Sequence, residues 1–425
     1  MRAIVRVSAA CFLVCACATW AWGNVATWTG GASTANWGDA LNWSTSAVPT
    51  SATDVIIPDG APATISFGAN RNFRSLTVTK GDGDLTLTKG AGGIDYAYSS
   101  TPVVYNPSGS TPRTLIYDST NIYFWQSGAP DPVFEVDGQN TYRFDPGTFS
   151  LDNASPSAVK SMTKIGTGTM RIKGGGYFPD AVNVSAGTLI VGFYGVDSSK
   201  TVASFGPKDK GHTATVNIAS GATFQFDCNV IFIDTNNPSG GGTTLSNGIL
   251  GNFAGSGLIK MTCSTPTLTD CGASFSPGVS SAAGVGVLSV QGGLTFGLVD
   301  SRCTMAGTAN NPCVLNIDIT GGGTVAGTDF DQLAVSGTVA TIGNCNLVVN
   351  AIGAVAGNSY AFLTSGNSQA TANFRNVTVN NIPTGLSYAV APIASGLGYQ
   401  ISFVPEPATM SVLVLGGLFM LKRRK

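Results

Sequence analysis

The sequence predicts an all-β fold: strand–turn units stacked into a β-solenoid, with a β-sandwich array as the alternative arrangement. Three observations carry this. First, Gly 55 and Pro 20 make about 18% of the 425 residues turn formers. Second, only 11% of residues are charged, against about 25% in ordinary globular domains, too few for long Glu- and Lys-rich helices. The acids are 21 Asp and two Glu, Glu135 and Glu406, and the short Asp side chain bonds nearby backbone in turns. Third, from Asn24 onward short alternating runs are separated by Gly, Ser, Asn and Pro, with no amphipathic helix of useful length.

The elements follow in chain order. Residues 1–23 have the three parts of a secretory signal: Arg2 and Arg6, an apolar run from Ala9 to Ala18, and small Ala21 and Gly23 at a cleavage site before Asn24. Ala16-Cys17-Ala18 offers an earlier cut. Residues 24–66 are Trp-rich, with Trp28-Thr29-Gly30-Gly31, Asn36-Trp37, Asn42-Trp43-Ser44 and Val48-Pro49. Three Trp this close together either plug the open end of a solenoid, which needs covering, or form an aromatic platform for sugars. The cap is the expected role.

Residues 67–403 form the body. Strands are expected at Ser75-Leu76-Thr77-Val78, Asp84-Leu85-Thr86-Leu87, Thr188-Leu189-Ile190-Val191, Thr223-Phe224-Gln225-Phe226 and Asn346-Leu347-Val348-Val349. A loose repeat places Gly187, Gly221, Gly293 and Gly337 each before an outgoing strand. The interval from Gly187 to Gly221 is 34 residues and the later ones are irregular. Units that cannot bury their own apolar faces suggest stacking.

Residues 404–425 read Val404-Pro405-Glu406-Pro407, an apolar stretch to Leu421, then Lys422-Arg423-Arg424-Lys425. Pro405 and Pro407 are expected to interrupt regular pairing, leaving an extended, accessible link after a last strand at residues 400–403. About 14 helical residues reach about 21 Å, short of the roughly 30 Å hydrocarbon core. The tail is therefore a marginal anchor, with a permanent single-pass anchor as the alternative. The bases hold it on the cytoplasmic side. This ending resembles the PEP-CTERM sorting signal of Gram-negative bacteria. The resemblance implies processing by an exosortase-type enzyme and export to the cell surface or beyond.

Lys164-Ile165-Gly166-Thr167-Gly168-Thr169-Met170-Arg171-Ile172, followed by Val184-Ser185-Ala186-Gly187-Thr188-Leu189-Ile190-Val191, resembles the autotransporter-associated β-strand repeat. Met170 stands where Leu is usual, and one good copy is present. Ser276-Pro277-Gly278 before Gly286-Val287-Leu288-Ser289-Val290, and Asp329-Phe330-Asp331-Gln332-Leu333-Ala334-Val335-Ser336-Gly337, resemble late segments of the same exported proteins. The resemblance implies a right-handed parallel β-helix on the cell surface and no catalytic residue.

The candidate chemistry is sparse. The one histidine, His212, excludes a cluster of several His, and no Gly-x-Ser-x-Gly elbow accompanies it. Asp82 with Asp84, and Asp329 with Asp331, are the carboxylate pairs a polysaccharide-cleaving or calcium-binding β-helix would use. Both sit near Gly, where turn stabilisation explains them. Gly321-Gly322-Gly323 lacks the Lys-Ser/Thr of a phosphate loop. Outside the signal, Cys228, Cys263, Cys271, Cys303, Cys313 and Cys345 form an even set, which in an exported chain favours disulfides. Short loops favour Cys263 with Cys271 and Cys303 with Cys313. No Cys-x-x-Cys outside the signal points to zinc or thioredoxin-like chemistry.

Setting the two terminal segments aside leaves 16 bases and 22 acids, about −6. The bases are scattered, with no stripe to neutralise nucleic-acid phosphates. The sequence therefore leads to an exported structural or adhesive protein with no cofactor, no metal and no catalytic residue. Its expected partners are the processing enzyme and an exopolysaccharide or the outer envelope. The alternative is a β-helix that binds or cleaves polysaccharide.

Overall fold

The computed structural model describes residues 24–406 apart from 70, 72, 90–94, 97–102, 119–120, 124–130, 145–147, 151–160, 173–180, 192–214, 227–247, 250–251, 262–266, 271–273, 279–283, 297–312 and 368–372. Residues 1–23, where a secretory signal is expected, and 407–425, including Pro407, Lys422, Arg423, Arg424 and Lys425, lie outside the described residues, as do His212, Cys228, Cys263, Cys271 and Cys303.

Among the described residues the chain winds through two sheets of 13 strands each. The first runs in chain order from Asn24–Thr27 to Asn376–Asn380, and its pairings are parallel. The second runs parallel from Thr64–Ser66 to Ser359–Ser365 and ends on an antiparallel hairpin of Leu386–Pro392 and Gly398–Pro405. Smaller parallel sheets of three and four strands give some turns of the coil a third strand, among them Asn121–Tyr123 and Gly293–Phe296. No α-helix occurs among the described residues. The parallel β-solenoid is therefore the fold, and the sandwich array is not.

Alternation explains why these segments pair. Met162, Lys164, Val182, Val184, Leu189, Val216, Ile218 and Phe224 point inward at 2% exposure or less, while their immediate neighbours along each strand are partly exposed. Register then lines up like with like. In the second sheet Leu115, Tyr142, Met170, Leu189, Phe224, Ile259, Val290 and Val335 form one column. Each such burial contributes about 1.5–3 kcal/mol. Met170 sits between Tyr142 and Leu189, where its volume nearly matches that of Leu.

The irregular repeat spacing has a physical origin in this register. Paired residues are 20 apart between Met162 and Val182, 34 between Val182 and Val216, and 45 between Leu288 and Leu333. Strand cores are held constant while corners absorb insertions, because lengthening a loop costs only about 0.6 kcal/mol per doubling.

The Lys-x-Gly-x-Gly segment has an internal role. Lys164 occupies an inward column between Phe134 and Val184 and is fully buried. Its Nζ donates to the carbonyl oxygens of Ile165 (2.9 Å), Gly166 (2.6 Å) and Ala186 (3.1 Å). The ammonium so joins two successive turns of backbone, and burial lowers its pKa to about 8.

The two ends of the stack are finished differently. Trp28, Trp37 and Trp43 are buried, with Trp37 edge-on to Trp43 at 4.6 Å and to Phe67 at 4.7 Å between centroids. Buried Asn42 organises the loop above them: its Nδ2 donates to the Thr34 and Asn36 carbonyls, and its Oδ1 accepts from Ala32 N. The rings thus plug the first turns and present no sugar platform. Asn24–Thr27 and Thr53–Ile57 already belong to the first sheet, so the Trp-rich segment is itself part of the coil. At the far end the last strand runs Gly398–Pro405, beyond the 400–403 expected. Pro405 faces Leu386 in register, and Glu406 N donates to Gly385 O at 2.8 Å. Proline is tolerated at the end of this strand because the chain bonds the hairpin through the next N–H.

Gly187 and Gly221 occupy the same motif position in adjacent turns, both in the left-handed region at φ 63° and 76°. A Cβ on Gly187 would land on the carbonyl oxygens of Gly168 and Gly166, whereas Gly221 faces open space. Gly221→Ala should therefore cost about 1–2 kcal/mol, and Gly187→Ala about 2–4 kcal/mol. Urea titration read by amide exchange in these turns would check it; equal costs would show that crowding at Gly187 is relieved.

Candidate functional site

Of five carboxylates suggested by the sequence or sitting beside such residues, Asp59, Asp82, Asp84 and Asp331 bond to another turn, and Asp329 bonds within its own loop. Asp59 accepts from Gly81 N (2.6 Å), Asp82 N (3.1 Å) and Ser108 Oγ (2.9 Å), and the Gly81 N–H chiefly holds its pKa below the usual carboxylate range. Asp82 pairs with Lys80, which lowers its pKa most, and accepts from Gly60 N at 2.9 Å. Asp84 accepts from Thr114 N at 2.8 Å. Asp82 and Asp84 thus point to different partners rather than converging.

Asp329 and Asp331 are also separated in role. Asp329 Oδ2 accepts from Val325 N at 2.9 Å, while its carbonyl accepts from Thr320 N and Gly321 N. Gly321 and Gly323 lie so close to the Asp329 carboxylate that neither has space for a Cβ. The triple-glycine loop therefore wraps this side chain.

Asp331 is 2% exposed and joins three strand ends. Oδ1 accepts from Gly286 N at 2.8 Å and Oδ2 from Asp318 N at 3.0 Å. In return Asp331 N donates to Asp318 O at 2.8 Å, and Gln332 N to Gly286 O at 3.0 Å. A Cβ on Gly278, which has φ 95°, would stand 2.6 Å from Asp331 Oδ1. Gly278 of Ser276-Pro277-Gly278 and Asp331 of Asp331-Gln332-Leu333 are thus two halves of one contact. Burial pushes the Asp331 carboxyl up to about 7, against the opposing pull of the two N–H donors.

Beside this junction lies an open groove of about 350 Å³. It follows the corner after the first sheet and is lined by Asn183, Ser185, Asn217, Ala219, Ser220, Gly255, Ser256 and Gly278, with Val184 and Ile218 beneath. Asn217 Nδ2 donates to Asn183 Oδ1 at 2.8 Å, and Asn183 Nδ2 to Thr163 Oγ1 at 3.3 Å. The ladder arises because parallel register puts Asn183 opposite both Thr163 and Asn217. Gly255 has φ 108° and no room for a side chain above Ile218, which keeps the groove open. The lining is neutral and hydrogen-bonding. It suits hydroxyl- or amide-bearing ligands and offers no general acid or base. Sequence reasoning missed this groove, whose signal was an Asn at the same distance before Gly187 and Gly221.

Cys313 and Cys345 are fully buried and face each other in register, with Sγ atoms 3.5 Å apart. Loop length had favoured Cys303 for Cys313, and Cys303 lies outside the described residues. No cluster of three or more metal-ligating side chains is found among the described residues. No family model, curated protein or solved structure matches the chain.

The Asp331 shift sets a pH signature. Folded Asp331 keeps its proton to about pH 7, while an unfolded Asp releases it near 4. Its contribution to stability is therefore greatest below the unfolded value and declines as pH rises towards 7, by at most about 1.4 kcal/mol per pH unit. The stability of wild type relative to Asp331→Asn, measured by urea titration from pH 4 to 8, should fall across that window and then level. A difference that grows with pH would mean that the two N–H donors outweigh burial.

Proposed function

We propose that this chain is an exported structural or adhesive solenoid of the cell surface or extracellular matrix, freed from a membrane-held tail by an exosortase-type enzyme. One observation carries the non-catalytic part. The carboxylates best placed for chemistry accept backbone N–H groups: Asp82, Asp84 and Asp331 tie one turn of the coil to another, and Asp329 braces its own loop. A stack whose acids serve as fasteners is suited to rigidity and reach. Its alternating strands also present rows of Asn, Ser and Thr, as at Asn376–Asn346, where Nδ2 meets Oδ1 at 3.0 Å. Such rows can meet hydrated polymer along their length.

The sorting part rests on Val404-Pro405-Glu406-Pro407 and the bases that end the tail. The last strand ends at Pro405 on the outermost hairpin, with Val404 47% exposed. This location suits a protease acting just beyond the folded body. The neutral groove favours a second reading, a solenoid that binds a neutral polysaccharide.

Two outcomes are expected. Mass spectrometry of the protein from a host encoding an exosortase should find a C-terminus close to Pro405-Glu406-Pro407, and changing these three residues to Ala should strand it in the inner membrane. A mature form that keeps Lys422 to Lys425 would replace sorting with simple anchoring. On a glycan array with neutral and uronic-acid members, with and without calcium, no turnover should appear. Binding of a neutral glycan that weakens about tenfold in Asn217→Ala would make the second reading the better one.

A further inference from the structure

We propose that Cys313 and Cys345 close an inter-turn disulfide when the chain meets an oxidising compartment, clipping the last long turns of the first sheet together. The strands Cys313–Asp318 and Cys345–Asn350 pair in parallel over six positions, and the two cysteines open that register. Directly paired residues on neighbouring strands stand about 4.7–4.9 Å apart, inside the Cα separation a disulfide accepts. The Sγ atoms already lie 3.5 Å apart, so bonding needs side-chain rotation and little backbone movement. Both side chains sit in the apolar interior near Leu315 and Leu347. There the finished bond would be shielded from reductants.

The step balances by thiol–disulfide exchange with a small-molecule or protein disulfide as oxidant. The Cys345 thiolate attacks one sulfur of the oxidant and releases the other as a thiol. The Cys313 thiolate then attacks Cys345 Sγ and releases the second thiol. Two protons leave the cysteines for the leaving groups, and two electrons reduce the oxidant. Because the thiols are buried, exchange belongs to folding, before this turn closes. Position gives the bond its use. It joins the two strands that precede the final strand of the first sheet, Asn376–Asn380, which has a neighbour on one side only. In a coil held by nearest-neighbour contacts, unfolding starts from such an end, and a clip there limits how far it spreads.

The proposal relies on the export reading only for where the oxidant is met, so the test has two arms. In the first, the purified full chain is refolded in a glutathione redox buffer, alkylated, and cut with trypsin and an Asp-specific protease. Cys345 then lies in the fragment 331–375, and Cys313 shares 303–317 with Cys303. The expected product is the two fragments joined, with fragmentation placing the link on Cys313. Oxidation should raise the melting temperature of the wild type about 3–6 °C more than that of Cys345→Ala. A Cys303–Cys313 bond, or both thiols alkylated, would overturn the pairing in any compartment. In the second arm the same map is made on protein from the native host. The bond is expected there too; alkylated thiols in that sample, with the bond forming in vitro, would overturn the proposal for the cell and place the fault with export.

Discussion

The structure depends on parallel, in-register stacking of short strands that are each too small to bury an apolar face alone. A four-residue strand such as Thr188–Val191 turns only Leu189 and Val191 inward. Two side chains cannot offset the conformational entropy of the turn that carries them. Set between Thr169–Ile172 and Thr223–Phe226, the same strand completes a column from Met170 through Leu189 to Phe224 and shares its backbone hydrogen bonds with both neighbours. Stability is therefore a property of interfaces between turns, and each turn matters mostly to its immediate neighbours.

Polar chemistry in the molecule serves the same constraint. A corner must change direction without a strand partner, so its N–H and C=O groups need other ligands. Asp59, Asp84 and Asp331 supply acceptors from one turn to N–H groups of another, and Lys164 supplies donors to three carbonyls. Asp331 and Lys164 show how far this goes: each is buried at a cost to its charged form, yet each ties together segments distant in sequence. Removing one would expose the cost of several unsatisfied backbone groups at once.

The ends are where a repeating stack becomes a finite protein. The aromatic plug of Trp28, Trp37 and Trp43 covers one end by bulk and edge-to-face packing. The other end turns its second sheet antiparallel, through Ser359–Ser365, Gly398–Pro405 and Leu386–Pro392. A reversed strand cannot accept another parallel turn in the same phase, so the hairpin stops growth in that sheet. It also delivers Glu406 to the periphery, bonded to Gly385, where the tail begins.

Residues acting within one strand or one turn were legible without the fold. Alternation at Ser75–Val78 and Thr188–Val191, and glycine before an outgoing strand at Gly187 and Gly221, follow from local geometry, so the all-β coil and the strands with the clearest alternation could be read directly. Register could not be read, because corners of unequal length hide which residues meet. Only the tertiary structure set Asn183 against Asn217, Asp331 against Gly278 and Gly286, Lys164 in a core column, and Cys313 beside Cys345. Each of these contacts joins residues at least 20 positions apart, brought together by winding, and a pattern that repeats at no fixed interval carries no local trace of them.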